Sequence, residues 1–270
     1  MRHYLIILFL PLTFIACAQG VSNQSDTLFN QTDKQGHKQG FWKVKYENGK
    51  LKYSAFFKDD KPLGLMKRYF EDGTIKAVMF FDISGITRTK IYYQDGPLAA
   101  EGNYLNSAKD SIWNYYSYYT KNISNSESYI NGKKNGKSVC FFADGQLSEE
   151  SEWIQGNRSG IWKQYFDNNT LKMSASFVDG KRNGEFILNY PNKLTEWKGY
   201  YKNDKRDGLW EHFDPAGNKD VSIKYRDGEP ENAAELDAKE QELLNEIEKV
   251  KGKIPEPDET NFLPETKTGK

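Results

Sequence analysis

The chain has 270 residues, and its 38 Lys and Arg balance its 38 Asp and Glu, so the formal net charge at pH 7 is zero. A neutral surface provides no electrostatic reason to expect nucleic acid as a partner. Hydrophobic residues make up only 37% of the sequence, whereas aromatic residues reach 14%. This composition favours a thin, β-rich protein over one with a thick helical core.

The first 18 residues predict a signal peptide. A short basic start precedes an apolar run from Tyr4 to Ile15, which is shorter than a membrane-spanning helix requires. The sequence Phe14–Cys17 resembles a bacterial lipobox, which would make Cys17 the lipidated first residue of the mature chain. Ala16–Ala18 also fits cleavage by an ordinary signal peptidase. Two exported states therefore stay open: a protein anchored by this lipid in the cell envelope, at the outer membrane or periplasm, and a soluble secreted protein.

After a predicted polar tether over residues 19–32, the chain repeats itself from residue 33 to residue 229. Each repeat begins with a turn rich in Gly, Asn, Asp and Lys, and we take the last residue of this turn as the anchor of the repeat. The anchors are Gly40, Gly64, Thr87, Ser111, Gly136, Gly160, Gly184 and Gly208, spaced by 24, 23, 24, 25, 24, 24 and 24 residues. A fixed period of this length is typical of repeat architectures, in which each unit is one supersecondary structure.

The fifth repeat contains a near match to a nucleotide-binding loop. Its residues 131–138, NGKKNGKS, fall one residue short of the phosphate-cradling pattern G-x-x-x-x-G-K-[ST]. A phosphate loop occurs once and leads into a helix whose N-terminus faces the phosphate. This stretch instead recurs in other repeats and is followed by a strand-like run, so it predicts a turn and no nucleotide cofactor.

Within each repeat the pattern predicts a β-hairpin. Counting from the anchor as zero, position 2 is often large and apolar, and position 6 is usually aromatic. Position 9 is Gly in five repeats, within turns such as ENG and EDG that favour hairpins because Asn, Asp and Gly tolerate positive φ. The return strand begins at position 11, alternates between apolar and polar residues, and ends in an aromatic residue at position 17. In the longer fourth repeat this aromatic residue, Tyr129, falls one place later and is counted with the others.

Eight such hairpins in series predict an all-β fold: an elongated array of about eight 24-residue repeats in a single twisted antiparallel sheet. About sixteen strands at roughly 4.8 Å each would give a sheet on the order of 75 Å long. One hairpin cannot bury its own face, so neighbouring repeats must pack their aromatic columns against each other.

The unit G-x-W-x-x-[YF]-[YF]-x-[ND]-G-x-[LI]-K, followed by an aromatic residue and [DN]-G-K-x-x-G, resembles the MORN-repeat variant. The best copy is GIWKQYFDNNTLKMSASFVDGKRNG, residues 160–184, and the resemblance covers residues 33 to about 229. The third and fourth repeats depart most, with Thr87 and Ser111 at their anchors and Thr120 in place of a turn glycine. The resemblance implies a scaffold or binding surface of the kind found in exported bacterial proteins and in YwqK-type antitoxins.

One feature of the repeats is a candidate binding row. Position 5 on the outgoing strand should face away from positions 2 and 6. It nevertheless holds an aromatic residue in six repeats: Tyr69, Tyr92, Tyr116, Phe141, Tyr165 and Phe213. On a single sheet these would form an aromatic row, beside lysines at position 3, suited to a protein or a glycan. The alternative is that these rings only pack a strongly twisted sheet or lie under the C-terminal helix.

The repeats contain no recognisable catalytic motif. His37 in a turn and His212 on a strand are the only histidines beyond the predicted signal peptide, and Cys140 is the only cysteine beyond residue 18. A lone cysteine in an apolar strand pattern is typically a small buried hydrophobe. Glu149 and Glu150 point to opposite faces of a strand and cannot act as a pair. The sequence therefore predicts no metal site, no cofactor and no enzymatic activity.

The C-terminal segment has a different composition. Residues 230–252 are rich in Ala, Glu, Lys and Leu and predict a helix, with an apolar stripe of Leu236, Leu243, Ile247 and Val250. This helix either caps the open edge of the last hairpin, as terminal caps do in repeat arrays, or binds a second copy or a partner. Residues 253–270 are polar, contain three prolines and predict a disordered tail.

These expectations lead to a non-enzymatic cell-envelope repeat protein that binds a protein or glycan partner or serves as a scaffold. The resemblance implies a second hypothesis, in which the protein is antitoxin-like or immunity-like and neutralises a toxin. Because the chain carries a predicted export signal, such a toxin would itself have to be exported.

Overall fold

The computed structural model describes residues 28–231 and 233–250, which form 19 β-strands and one helix. The strands are β1 (Gln31–Thr32), β2 (Lys38–Lys45), β3 (Leu51–Lys58), β4 (Lys61–Tyr69), β5 (Ile75–Phe81), β6 (Ile86–Tyr92), β7 (Leu98–Leu105), β8 (Ala108–Tyr116), β9 (Ile123–Ile130), β10 (Lys133–Phe141), β11 (Leu147–Ile154), β12 (Asn157–Arg158), β13 (Gly160–Tyr165), β14 (Leu171–Val178), β15 (Lys181–Asn189), β16 (Thr195–Lys202), β17 (Lys205–Phe213), β18 (Lys219–Arg226) and β19 (Glu229–Pro230). The helix is α1 (Ala233–Val250).

Each long strand pairs antiparallel with the next long strand along the chain, so the fold is one long open meander. The predicted array of eight hairpins is confirmed: β2–β3, β4–β5, β6–β7, β8–β9, β10–β11, β13–β14, β15–β16 and β17–β18. The two-residue strand β12 precedes β13 on the same outgoing segment and pairs with β11.

One register recurs in all eight hairpins. The anchor at position 0 lies directly opposite the aromatic residue that ends the return strand. The pairs are Gly40 and Phe57, Gly64 and Phe81, Thr87 and Tyr104, Ser111 and Tyr129, Gly136 and Trp153, Gly160 and Phe177, Gly184 and Tyr201, and Gly208 and Tyr225. Directly opposed residues lie close together on one face of the sheet, so a small anchor leaves room for the ring across from it.

The anchors also need an unusual backbone conformation. The six anchor glycines have φ between 69° and 126°, a region that L-residues with a Cβ seldom adopt. Ser111 takes the same left-handed conformation, with φ of 58°. Thr87 does not, and the strands β5 and β6 pair there without a register shift. In the longer fourth hairpin turn, Lys121 at φ 63° takes the place of the turn glycine, whereas the sequence had pointed to Thr120.

A β-bulge occurs at the same place in every hairpin. Position 4 pairs with position 13 and position 5 pairs with position 11, which leaves position 12 out of the ladder; in the fourth hairpin the break lies one residue later. A bulge bends its strand and redirects the neighbouring side chains. The predicted alternation along the return strand therefore holds from position 13 to position 17 and is interrupted at position 12.

The core lies on one face of the sheet, which carries positions 2, 15 and 17 and which we call the core face. Trp113 and Trp210 at position 2 are each only 1% exposed. Their rings lie on Gly102 and Gly199 of the preceding repeat, where an added Cβ would approach the indole to 2.4 and 2.3 Å. The indole nitrogen of Trp113 also donates a hydrogen bond to the carbonyl of Asn103 at 2.8 Å. At these two positions the tryptophan of one repeat therefore covers the core face of the repeat before it.

Short segments cover both edges of the sheet. Phe29 forms a bridge with Phe41, and the Asn30 side chain exchanges hydrogen bonds of 2.8 and 3.0 Å with the backbone of Lys43. At the other edge, β19 pairs with β18. Such covers protect an edge from pairing with another chain. The last residues of the segment predicted as a tether thus contact β2, while residues 1–27, including the predicted signal peptide and Cys17, lie outside the described residues.

The predicted C-terminal helix is present as α1. The apolar stripe of Leu236, Leu243, Ile247 and Val250 involves side chains outside the described part of the chain, as does the whole segment 253–270. Docking of the helix over the last hairpin therefore stays a prediction. Over residues 28–231 and 233–250, no helix is both long enough and apolar enough to cross a bilayer.

Candidate binding face

The six position-5 aromatic residues lie on the face opposite the core, which carries positions 1, 3, 5, 14 and 16 and which we call the open face. All six side chains are half-buried: Tyr69, Tyr92, Tyr116, Phe141, Tyr165 and Phe213. Each of them pairs across the ladder with the residue next to the bulge, which lies at position 12 or, in the fourth hairpin, one residue later. A bulge redirects the side chains beside it. Lys45 and Asn189 occupy position 5 in the first and seventh repeats, which interrupts the row.

Two tyrosines of the row are held by carboxylates of the preceding repeat. The Tyr116 hydroxyl donates a hydrogen bond to Glu101 at 2.5 Å, and the Tyr165 hydroxyl donates one to Glu150 at 2.7 Å. The hydrogen bond to Glu101 raises the pKa of Tyr116 to about 12. Burial together with Glu150 raises the pKa of Tyr165 to about 12. Hydrogen bonds from Lys137 and Tyr165 lower the pKa of Glu150 to about 2.

Ion pairs surround these tyrosines on the open face. Glu150 lies 2.8 Å from the ammonium of Lys137 and 3.3 Å from that of Lys163. Glu101 lies 3.4 Å from Lys90. Each carboxylate thus joins a lysine and a tyrosine, and the tyrosine belongs to the next repeat. Charges of both signs thus lie beside the tyrosines, an arrangement that favours specific orientation of a partner over attraction of one sign of charge.

Hydrogen bonds between repeats also hold the backbone of the row. A tyrosine at position 6 donates its hydroxyl proton to the carbonyl of the position-5 residue in the next repeat. The pairs are Tyr46 and Tyr69 at 2.7 Å, Tyr93 and Tyr116 at 2.9 Å, and Tyr190 and Phe213 at 3.0 Å. The position-6 pattern was visible in the sequence, but its partner one repeat away was not.

A second row on the open face was missed by the sequence reasoning. Position 1 carries a large apolar side chain that is between 49% and 58% exposed in five repeats: Phe41, Leu65, Ile112, Ile161 and Leu209. The sequence does contain a pattern that indicates this row, because an apolar residue follows the anchor in the stretches GFW, GLM, SIW, GIW and GLW. Position 1 lies four residues before position 5 on the outgoing strand, so its side chain points to the same face, and the two rows share β4, β8, β13 and β17.

A depression of about 390 Å³ lies on the open face between the second and fourth repeats. Its lining mixes an aromatic ring, an aliphatic side chain and both signs of charge: Phe80, Arg88, Lys90, Glu101 and Ile112 contribute to it. Mixed linings of this type suit an extended polar ligand or a protein side chain with one apolar part.

The residues that could take part in acid–base, nucleophilic or metal chemistry are dispersed along the sheet. His37 lies 3.3 Å from Asp33 at the start of the array, while His212 lies 2.6 Å from Asp220 in the last hairpin. Cys140 is half-buried, and burial raises the pKa of its thiol, which disfavours the reactive thiolate. Among the described residues, no three His, Cys, Asp or Glu side chains form a group that could hold a metal ion.

Glu149 and Glu150 occupy opposite faces, as the strand periodicity predicted. Glu149 lies 3.7 Å from Arg158 on the core side, whereas Glu150 pairs with Lys137 and Lys163 on the open face. The two carboxylates therefore cannot share one substrate.

The fold and the two rows define a β-hairpin repeat protein. Its repeats are similar to the MORN repeat variant, whose family model matches residues 38–59, 62–82 and 158–179, within the first, second and sixth repeats. A match to this repeat indicates a repeat-based binding or scaffold module and does not specify a chemical reaction. A comparison with curated proteins gave no match.

Among solved structures, the chain aligns with one described as the crystal structure of the GtfA/B complex bound to UDP and GlcNAc. The identity is 11%, the alignment covers 46% of this chain and 23% of that one, and the TM-score is 0.18. The chain thus spans about a quarter of the length of the protein it matches. A similarity at this TM-score carries no argument about fold or ligand.

Proposed function

We propose that this protein is a non-enzymatic binding or scaffold module whose open face recognises a protein or glycan partner. The observation that carries the proposal is the presence of two rows on one face: half-buried aromatic side chains at position 5 and exposed apolar side chains at position 1. Large exposed apolar surfaces on soluble proteins commonly mark interaction sites. The Lys and Glu pairs beside the rows would orient the partner.

A protein partner fits the face better than a glycan does. Sugars stack on freely accessible aromatic faces, but the position-5 rings are half-buried, and Tyr116 and Tyr165 already donate their hydroxyl protons to glutamates. The exposed aliphatic residues at position 1, such as Ile112 and Leu209, match the apolar centre of protein interfaces.

Affinity capture from an envelope extract of the producing organism tests the proposal. One column carries the native chain, a second carries Tyr92→Ala, Tyr116→Ala and Tyr165→Ala, and a third carries Ile112→Ser, Ile161→Ser and Leu209→Ser. A control column carries Tyr119→Ala, because this tyrosine is 88% exposed in a turn outside both rows. Near-UV circular dichroism of each variant verifies that the array remains folded.

We expect one partner to be retained by the native and control columns and lost from both row variants. The purified partner should then bind the row variants at least about tenfold more weakly, which corresponds to the loss of a hot-spot residue. Retention on all four columns would exclude the open face, and no specific retention would argue against the recognition function. If the partner is an exported toxin, the antitoxin-like alternative becomes the specific form of this function.

We also propose that a lipid on Cys17 anchors the protein in the cell envelope, since Phe14–Cys17 resembles a lipobox. Metabolic labelling with an alkyne-bearing fatty acid measures the modification directly. We expect label on the native chain in the membrane fraction, and neither label nor membrane association for Cys17→Ser. An unlabelled native chain in the soluble fraction would support the secreted alternative.

A further inference from the structure

A cation lies over the core face in six of the eight repeats. Two residues before the anchor, at position −2, the side chain is Lys or Arg, and its charge lies 4.1–5.3 Å from the centre of the position-17 ring of the same repeat. The pairs are Lys38 and Phe57, Lys109 and Tyr129, Lys134 and Trp153, Arg158 and Phe177, Arg182 and Tyr201, and Arg206 and Tyr225. These are cation–π contacts, in which a positively charged group lies next to the face of each ring.

The second and third repeats have no such cation. Pro62 and Gly85 occupy position −2 there. Within the described part of the chain, no Lys or Arg side chain lies over the ring of Phe81, the position-17 residue of the second repeat. Arg88, close to it in sequence, lies instead over Phe80, 6.0 Å from its centre, on the open face. Phe81 therefore lacks the contact that six other rings receive.

A cleft of about 750 Å³ opens at this gap. Pro62 and Gly85 both line it, and so does the ring of Phe81. At its rim Ile83 is 96% exposed, and Leu63 is 36% exposed. The cleft thus lies beside both positions that lack a cation, and beside apolar residues that nothing covers among the described residues.

The seventh repeat shows how a filled site is built. Arg182 lies 4.1 Å from the centre of the Tyr201 ring, and its Nε lies 3.1 Å from a carboxylate oxygen of Asp204 in the following turn. In the second repeat the following turn begins with Asp82, which lines the cleft together with Asp59. The Asp82 carboxylate already has partners: it accepts a hydrogen bond from the Ser84 backbone and lies 3.7 Å from the exposed guanidinium of Arg88. It is therefore the Phe81 ring that lacks a cation.

The two lysines that also line the cleft do not replace this cation. Lys58 and Lys61 are both exposed, and neither lies over the Phe81 ring. They pair with each other across the ladder between β3 and β4. With Asp59 and Asp82 they leave the lining of the cleft neutral, so the Phe81 ring without a cation decides what binds there.

We propose that this cleft binds an arginine side chain of a polypeptide partner. Its guanidinium would lie over Phe81 and compete with Arg88 for the Asp82 carboxylate, while its aliphatic stem contacts Pro62. Arginine suits the site better than lysine because its planar guanidinium stacks on rings and is more weakly hydrated. Ile83 and Leu63 provide apolar contacts for the residues beside that arginine. The cleft is separate from the open-face rows, so the two proposals are tested separately.

Titration of the ¹⁵N-labelled full chain tests the proposal by NMR. The probe is the peptide acetyl-Gly-Arg-Gly-amide, and the control peptide has citrulline in place of arginine, which keeps the shape and removes the charge. We expect saturable shifts of the amides from Ile83 to Ile86 with the arginine peptide, and affinity about threefold or more lower for citrulline and for a lysine peptide. Equal binding of citrulline, tighter binding of lysine, or no saturable shift would overturn the assignment.

A substitution that fills the gap provides the second test. Pro62 lies opposite Phe57 as Arg182 lies opposite Phe177, so Pro62→Arg restores the side chain that other repeats carry. We expect it to weaken peptide binding about tenfold by internal competition and to raise the unfolding temperature by about 2 °C. Ile154→Arg adds the same charge at an exposed site in the fifth repeat and should leave binding unchanged.

A ring replacement checks the geometry independently of Pro62. Phe81→Leu keeps an apolar side chain but removes the aromatic ring, and we expect it to weaken binding of the arginine peptide about two- to fivefold. The ratio between the arginine and citrulline peptides should fall with it, which a general loss of packing would not produce. Unchanged binding in both Phe81→Leu and Pro62→Arg would place the peptide elsewhere.

Discussion

At the scale of single residues, this protein depends on pairs in which a large ring requires a small neighbour one repeat away. Trp113 and Trp210 are almost completely buried although the sheet has only one packed layer. Their burial is possible because Gly102 and Gly199 allow each indole to lie directly on the backbone of the preceding repeat. The ring is thereby removed from water, which accounts for much of the stabilisation that a thin sheet can obtain.

Gly199→Ala should destabilise the protein by about 1–3 kcal/mol, because the new Cβ would lie 2.3 Å from the Trp210 ring and force it to move. Urea unfolding followed by tryptophan fluorescence measures the change. In a Trp210→Phe background the smaller ring should reduce the effect of the same substitution, which a double-mutant cycle quantifies. Additive effects of the two substitutions would contradict this contact.

The pKa of Tyr116 predicts a loss of stability in alkali. It is raised to about 12 by the hydrogen bond to Glu101, while an unfolded tyrosine ionises near 10. The neutral hydroxyl therefore contributes stability that is fully present below pH 10 and is lost as the pH rises towards 12. Tyrosine Cζ chemical shifts should show late ionisation of Tyr116, and Glu101→Gln should bring its pKa closer to 10. Ionisation near pH 10 in the native chain would contradict the hydrogen bond.

At the scale of elements, the hairpin is the unit on which local sequence and backbone conformation agree. Turn glycines, anchor glycines and position-17 aromatics recur together because each hairpin needs two tight reversals and one ring to cover its packed face. Except at Thr87, another residue takes the left-handed conformation where glycine is absent: Ser111 at an anchor, and Asn169, Lys193 and Lys121 in hairpin turns. The hairpin geometry thus persists, with a backbone strain that glycine would avoid.

Lys193→Gly should stabilise the protein by about 0.5–1 kcal/mol. Lys193 adopts φ of 73° in the turn between β15 and β16, a conformation that is unfavourable for a residue with a Cβ, and the greater freedom of glycine in the unfolded chain only partly offsets the gain. Thermal unfolding measures the shift. The matched control is Lys172→Gly on β14, which has no positive φ and should lower the stability. A lower unfolding temperature for Lys193→Gly would contradict this account.

At the scale of the whole molecule, the long strands of the described array contact mainly their neighbours in sequence. Each long strand pairs with the strands before and after it, and each position-2 residue packs within its own repeat or on the one before. Stability in such an array is close to a sum of repeat and interface contributions. The open face is therefore a long surface whose parts can be changed without disturbing distant repeats.

Truncation at a repeat boundary should leave a folded array. A chain ending at residue 180 keeps six complete repeats, and we expect a urea m-value about a quarter lower with a single transition. A chain ending at residue 168 also loses β14. Trp162 then loses Ala175, its partner across the ladder, and Phe177, whose ring it contacts. Its unfolding midpoint should be lower than that of the 180-residue chain. Equal midpoints would show that the hairpin is not the cooperative unit.

Much of the fold was predictable from the sequence because its signals are local. The 24-residue period, the turn glycines and the position-17 aromatics predicted hairpins whose register places each anchor opposite its aromatic residue. The candidate row at position 5 was also placed on the open face, since strand periodicity decides the face of a side chain. The period-two rule failed at position 12, because a bulge depends on how two strands pair and leaves no clear mark in either strand alone.

The sequence by itself determined the repeat, the hairpin and the face on which the aromatic row lies, because turn chemistry and strand alternation act over a few neighbouring residues. Only the tertiary structure decided which side chains meet across repeats: the tryptophans on glycines of the preceding repeat, the Tyr116 hydroxyl on Glu101, and the cations over the position-17 rings. These contacts join residues that are ten to twenty positions apart in sequence and become neighbours through strand pairing. Only the structure shows that position −2 supplies these cations, and hence that Pro62 leaves the Phe81 ring without one among the described residues.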